Sequence, residues 1–252
     1  MRCKIAIILF LLFIVFFNSN SGDCRNSDDL ILVTNEFPPY TIIKDGEFSG
    51  IAVDIVKKLT SSAGYSCEIT MLPWKRALKE SQSRNVLLFP YTRRPYRETQ
   101  FKWIGPIMKD IFVFAVNSYD NRRFNTIEDF RSLEIGVVQG TPTAYRLKEL
   151  GFEKIQFVLQ EKQNAFKLIY GNRIDAWYVP ELILNQTLKS KGIKFEKMKI
   201  AYKDTEVEMY IAASLSVPDE IVTLWQKNFD DMKKHGHYRE ILEKYGFEKF
   251  QP

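Results

Sequence analysis

The sequence predicts an α/β protein of two lobes, each a mostly parallel sheet flanked by helices, with two hinge strands joining them. Three observations lead there. A strand–helix–strand–helix–strand series spans residues 30–89, and a second one spans residues 133–179. Two strand-like segments, 111–116 and 206–213, fit neither series and flank the second on both sides. Strands in such a series are parallel neighbours with right-handed crossovers. Because the second series is complete, one continuous sheet is disfavoured.

The first series opens on the apolar run Leu30-Ile31-Leu32-Val33. Gly50 then starts a helix with Ile51, Ile55, Val56, Leu59 and Ala63 on one face, and Gly64 ends it. Residues 67–72 alternate as a strand, Pro73-Trp74 begins a helix with Ala77 and Leu78, and 86–89 is a buried strand. In the second series 133–138 is a strand, and Thr141-Pro142 caps and opens a helix through Leu147 and Leu150. Residues 155–159 are a strand, Ala165, Leu168 and Ile169 mark a helix, and 174–179 is a strand that Pro180 turns into another helix. The tail carries Ile221, Leu224, Trp225 and Phe229, then Tyr238, Ile241, Leu242 and Tyr245, and is expected to pack back on the first lobe. Lobe 1 is thus residues 23–114 and 210–252, and lobe 2 is residues 115–209.

Residues 1–22 read as a cleaved signal peptide. Arg2 and Lys4 precede a 13-residue apolar run, 5–17, too short for an ordinary membrane-spanning helix. Export to an oxidising compartment, the periplasm, follows. The remaining chain of about 230 residues has a formal charge of +3 once Arg2 and Lys4 are lost. It carries no long basic run, which gives no reason to expect nucleic acid as a partner. Cys24 and Cys67 remain as an even pair. Cys24 lies just before the first strand and Cys67 opens the second, so the amino ends of two parallel neighbours bring them within disulfide reach.

The chemistry gathers at the carboxyl ends of strands, where α/β folds hold ligands. Thr92-Arg93-Arg94-Pro95-Tyr96-Arg97 follows the strand at 86–89. A guanidinium there can fork onto a carboxylate. Gly140-Thr141 faces it from the second lobe, with backbone amides and a helix start that favour an anion. Glu36, Phe37 and Tyr40 lie on a loop stiffened by Pro38-Pro39, where the aromatics either wall a ligand or fill a lobe surface. Trp74 either stacks on a ligand or packs inside. Tyr178 holds the equivalent position in lobe 2, with Trp177 alternating away. No Gly-x-Ser-x-Gly elbow, phosphate loop or His/Cys metal cluster occurs in the sequence, and His235 and His237 read as a solvated helix end. No cofactor or metal is expected.

These segments resemble the family-3 periplasmic solute-binding proteins, the amino-acid-binding components of ABC importers, over nearly the whole mature chain. The loop 36–40, the Gly50 helix with Asp54, Thr92 and Arg97 followed by Trp103-Ile104-Gly105-Pro106, the turn 138–141 and the Gly171 to Ala176 segment each match a family motif in order. The resemblance implies a monomeric binding protein that hands a small solute to a membrane permease. It also implies that Arg97 grips the ligand carboxylate, assisted by Thr92 and the Gly140-Thr141 amides. One departure is Pro180, where many members place an aspartate for the ligand ammonium; the resemblance implies an α-amino acid here only if Glu36 supplies the missing negative charge. Two other readings share the fold. One is a lyase such as a dehydratase with Glu36 as its acid or base, and the other is a sensing module for a signalling partner.

Overall fold

A computed structural model of the chain describes residues 30–171 and 173–247. The expected leader and Cys24 lie outside them. The strands are β1 (Ile31–Thr34), β2 (Ile42–Lys44), β3 (Glu47–Ser49), β4 (Ile69–Met71), β5 (Val86–Thr92), β6 (Phe101–Asn117), β7 (Ile135–Val138), β8 (Ile155–Val158), β9 (Ala176–Pro180) and β10 (Met198–Ser214). The helices are α1 (Ile51–Ser62), α2 (Trp74–Glu80), α3 (Pro142–Glu149), α4 (Glu161–Tyr170), α5 (Glu181–Ser190), α6 (Asp219–Lys234) and α7 (His237–Tyr245). No described helix is long and apolar enough to cross a membrane.

The two series appear as two parallel ladders. In the first, β1 pairs with both β4 and β5, and in the second β7 pairs with both β8 and β9. The adjacency of β1 and β4 assumed for the cysteine pairing is present, with Leu32 opposite Ile69. Cys67 is half-buried, and burial pushes its thiol up.

One expectation needs correction. Hydrogen bonding does not stop between the ladders but continues in a single eight-stranded order, β4-β1-β5-β10-β6-β9-β7-β8. The cause is the length of the connecting strands. β6 and β10 have 17 residues each, where the sequence suggested about half that, and they pair antiparallel from Phe101–Ser214 to Asn117–Met198. β10 also pairs with β5, and β6 with β9, so this ribbon belongs to both ladders. Three register shifts along it, at Ile200/Tyr202, Lys203/Thr205 and Met209/Ile211, are places where a strand bends.

Apolar alternation assigns the faces. Leu32 packs with α1, α6 and α7, while its neighbour Val33 packs with α2 on the other face. Trp177 and Tyr178 divide in the same way between the α4/α5 side and the α3 side. The tail returns to the first ladder as the sequence suggested. Trp225, Phe229 and Leu242 are fully buried against α1, and the Tyr238 hydroxyl donates to the Ile107 carbonyl at 2.9 Å. Asp54, in the helix that opens at Gly50, accepts from Lys244 at 2.6 Å and from the Tyr245 hydroxyl at 2.8 Å. It therefore holds the tail helix in place. Gly50 itself has φ +110°, and a Cβ there would lie 2.5 Å from the Tyr40 carbonyl oxygen. Only glycine fits, which fixes the approach of α1 to the loop carrying Tyr40.

Candidate ligand-binding cleft

The loop after β5 divides its three arginines by task. Arg93 is neutralised, with its Nε and Nη2 on the two oxygens of Glu98 at 2.7 and 2.8 Å and its plane over Trp103 and Tyr210. Arg97 begins no such pair. A single 3₁₀ turn, Pro95–Arg97, swings it back so that Nη1 donates to the Thr92 carbonyl at 2.7 Å. Its guanidinium lies 4.1 Å over the ring of Tyr91 and 5.0 Å over Tyr96. Among the described residues no carboxylate pairs with it. The side chain is oriented without being neutralised, which leaves donors for an anion.

Across from it stands the start of α3. Gly140 takes φ +76°, and Thr141 caps the helix, its hydroxyl donating to the Val138 carbonyl at 2.7 Å and accepting from the Ala144 amide at 3.3 Å. Arg97 and Gly140 border the same two cavities, of about 600 and 250 Å³. Trp74 and Thr92 border both as well. The wider cavity also meets Arg94 and Arg146, while the smaller one meets Phe37 and Thr141. Arg146 is already held by Asp204, with Nε and Nη2 at 2.5 and 3.0 Å from its oxygens. That leaves Arg94 and Arg97 as the cations at the mouth without a carboxylate partner among the described residues.

Thr92 and Pro142 also border a third, inner cavity of about 40 Å³, so the three are one continuous cleft. Its walls are mostly apolar, from Phe37, Phe112, Ile183, Val207 and Met209, with Thr143 and Glu161 among them. Tyr40 reaches it, fully buried, with its hydroxyl committed to Asp110. Burial, then the neighbouring Asp110, holds the Tyr40 hydroxyl well above its usual range. Asp110 also accepts the Ile111 amide at 2.7 Å and the Leu182 amide at 3.3 Å, and burial pushes its carboxyl up to about 7.

The structure thus brings Tyr40, Trp74, Thr92, Arg97, Gly140 and Thr141 to one cleft. It does not bring Glu36 or Tyr178. Glu36 is exposed and borders none of the three cavities, because the Phe37–Thr41 bridge turns Phe37 and Tyr40 inward and leaves the residue before them facing water. Tyr178 is buried on the α3 side of the sheet, its ring 4.4 Å from Phe114 and its hydroxyl on Asp204. β9 lies between β6 and β7, so Tyr178 has packed neighbours on both sides and supports the Arg146–Asp204 pair from behind.

The residue that sequence reasoning missed is Glu161. It is the first residue of α4, borders the inner cavity beside Pro180, and accepts the Trp177 indole N–H at 3.0 Å. Burial pushes its carboxyl up to about 7. It follows β8 by three residues, so the strand-end rule that singled out Arg97 and Thr141 applies to it too.

Comparison with known proteins agrees with this architecture. The family model described as bacterial extracellular solute-binding proteins, family 3, matches residues 30–249. The arginine-binding extracellular protein ArtP of Bacillus subtilis is 21% identical over 238 residues, 90% of each chain. A histidine kinase sensor domain with similarity to periplasmic binding proteins superposes with a TM-score of 0.73 at 16% identity, over 86% of this chain and 95% of its own. The ancestral amino acid-binding protein AncCDT-1, a precursor of cyclohexadienyl dehydratase, gives 0.70 at 18% identity, over 86% and 95%. These structural likenesses show the fold, and the family model shows the lineage. The chain belongs to the bacterial extracellular solute-binding proteins of family 3.

Proposed function

We propose that this protein captures a small carboxylate-bearing solute in the cleft and releases it unchanged to an ABC importer. The observation that carries the reading is Arg97, oriented by the Thr92 carbonyl and two aromatic rings but paired with no described carboxylate, facing the Gly140-Thr141 helix start. A ligand carboxylate there meets a fork of charge-assisted donors on one side and backbone amides on the other. Trp74 offers a flat apolar face beside it. The lobes are 23–114 with 210–252, and 115–209, with β6 and β10 as the hinge. The mature protein is an exported monomer and needs no cofactor.

Mass spectrometry of small molecules released from the denatured, freshly exported protein tests this reading. A stoichiometric carboxylate agrees with it, and a ligand lacking any acid group opposes it. A lyase reading has one specific observation in its favour, the Glu161 carboxyl near neutrality inside the cleft. Following the released carboxylate by NMR in the presence of the protein separates the two, since a binding protein leaves it intact.

A further inference from the structure

The end of the second ladder away from the cleft carries surface that ligand capture does not use. The carboxyl end of β7 leads to Gly140 in the cleft, while its opposite end begins beside Asp175, which accepts the Glu134 amide at 2.9 Å. Three segments meet there. The turn after β6 adjoins the 3₁₀ turn Phe195–Lys197, with the Ser118 amide donating to the Lys197 carbonyl at 3.0 Å and Lys199 Nζ donating to the Asp120 carbonyl. The end of α4 joins them through Tyr170, whose ring lies 5.9 Å from Lys197 Nζ. Between these segments runs a groove of about 520 Å³, with Leu168, Ile169 and Ile174 as its apolar lining and Tyr119 and Lys197 at its border. Its other charges neutralise one another, since Arg122 bridges Asp120 at 2.7 Å and Asp175 at 3.1 Å.

Five of the eleven residues from 189 to 199 are lysines, and Glu196 is the one acid. All five are exposed, and among the described residues none pairs with a carboxylate. The exposed aromatic side chains of the described residues sort by place. Trp74, Tyr96 and Tyr145 border the cleft, and Phe157 lies under Lys148 at 5.1 Å. The others, Tyr119, Phe166, Tyr170 and Phe195, gather around Lys197, Phe166 through its ring contact with Tyr170 at 5.8 Å.

We propose that this end of the second ladder is a docking surface for an anionic lipid bilayer. Charge complementarity is the first argument: the unpaired cations are lysines, and the nearby Asp120 and Asp175 are held by Arg122. The rings are the second. A merely solvated end needs charge but no exposed aromatics, whereas rings settle at headgroup level while lysines reach the phosphates around them. The shape is the third. Cations and rings come from three segments around an open groove, and a fluid headgroup layer conforms to that relief. None of these residues borders a cleft cavity, so docking leaves the cleft free to exchange solute.

Vesicle flotation with the exported protein tests this. One set of vesicles is phosphatidylcholine alone, and the other is phosphatidylcholine mixed with phosphatidylglycerol. The wild type should float with the mixed vesicles only, and less so as salt is raised. A lysine near an anionic surface strengthens attachment about fivefold, so the triple variant K191E/K194E/K197E should lose roughly a hundredfold. Y170S/F195S keeps every lysine and should also weaken attachment, because its rings no longer enter the headgroup layer. The control K58E/K79E/K227E makes the same change of net charge at exposed lysines of α1, α2 and α6, and should float nearly as the wild type does. An equal loss in the control would reduce the effect to net charge and overturn the inference. So would a Y170S/F195S variant that floats as the wild type does. A wild type that ignores both kinds of vesicle also overturns it. Retention on immobilised poly-L-glutamate would then identify an acidic polypeptide as the occupant, and concentration-dependent dimers in light scattering a second copy.

Discussion

The Tyr40 hydroxyl donates to Asp110, so one buried carboxylate ties the loop after β1 to the long strand β6 and, through the Leu182 amide, to the start of α5. This contact joins segments of both ladders directly behind the cleft. It also sets a pH dependence. Asp110 and Glu161 both lie near 7 because burial disfavours their charge. Their unfolded values are those of ordinary carboxyls, so between the two ranges the native state binds more protons than the unfolded chain. Their contribution to stability is therefore fully present below the ordinary carboxylate range and is lost as pH rises through about 7.

Urea unfolding from pH 5 to pH 8 should show that loss, and D110N should flatten it. Y40F should destabilise by about 1–3 kcal/mol through the donor withdrawn from a buried acceptor. The deficit should be larger at pH 8, where Asp110 is ionised. A Y40F deficit independent of pH contradicts the assignment.

Gly50 and Gly140 both have positive φ, yet their surroundings differ. A Cβ at Gly50 meets the Tyr40 carbonyl at 2.5 Å, while one at Gly140 meets nothing within 4 Å. G50A should cost clearly more than the ~1–2 kcal/mol expected from left-handed strain alone, and G140A should stay within that range. Equal midpoint shifts in thermal unfolding would show that the contact with Tyr40 relaxes freely.

Hinge closure predicts a change of shape. The ribbon of β6 and β10 bends at its register shifts, and a ligand that contacts Arg97 from the first ladder and Gly140-Thr141 from the second should bias an open–closed equilibrium. Small-angle scattering should give a smaller radius of gyration at saturating ligand. Identical radii with ligand bound argue for a rigid cleft.

Much of this was legible in the sequence for a definite reason. Periodicity of 2 or 3.6 marks half-buried strands and helices, and the order of those elements fixed the ladders and the return of the tail onto α1. Strand ends then led to Thr92, Arg97, Gly140 and Thr141. The rest depends on features that periodicity does not carry. The β2–β3 hairpin has only three residues per strand, too few for a period to show, and Asp45-Gly46, both at positive φ, forms its turn. The full length of β6 was hidden by Gly105-Pro106, which reads as a break. Glu36 and Tyr178 were misplaced because the side a loop residue faces is set by the turn around it, and the face of Tyr178 by two strands remote in sequence. Glu161 does not stand out in the sequence from the polar residues around it, because its surroundings are Trp177 and Pro180 of β9, both remote from it in sequence.

The central claim is that Arg97 grips a ligand carboxylate. Its direct test is calorimetry of the wild type and R97A with the carboxylate recovered from the exported protein. The account predicts that R97A loses at least ~2 kcal/mol of binding free energy, roughly the cost of breaking a buried charge-assisted contact, with its unfolding midpoint near that of the wild type. An R97A affinity equal to the wild-type value would contradict it.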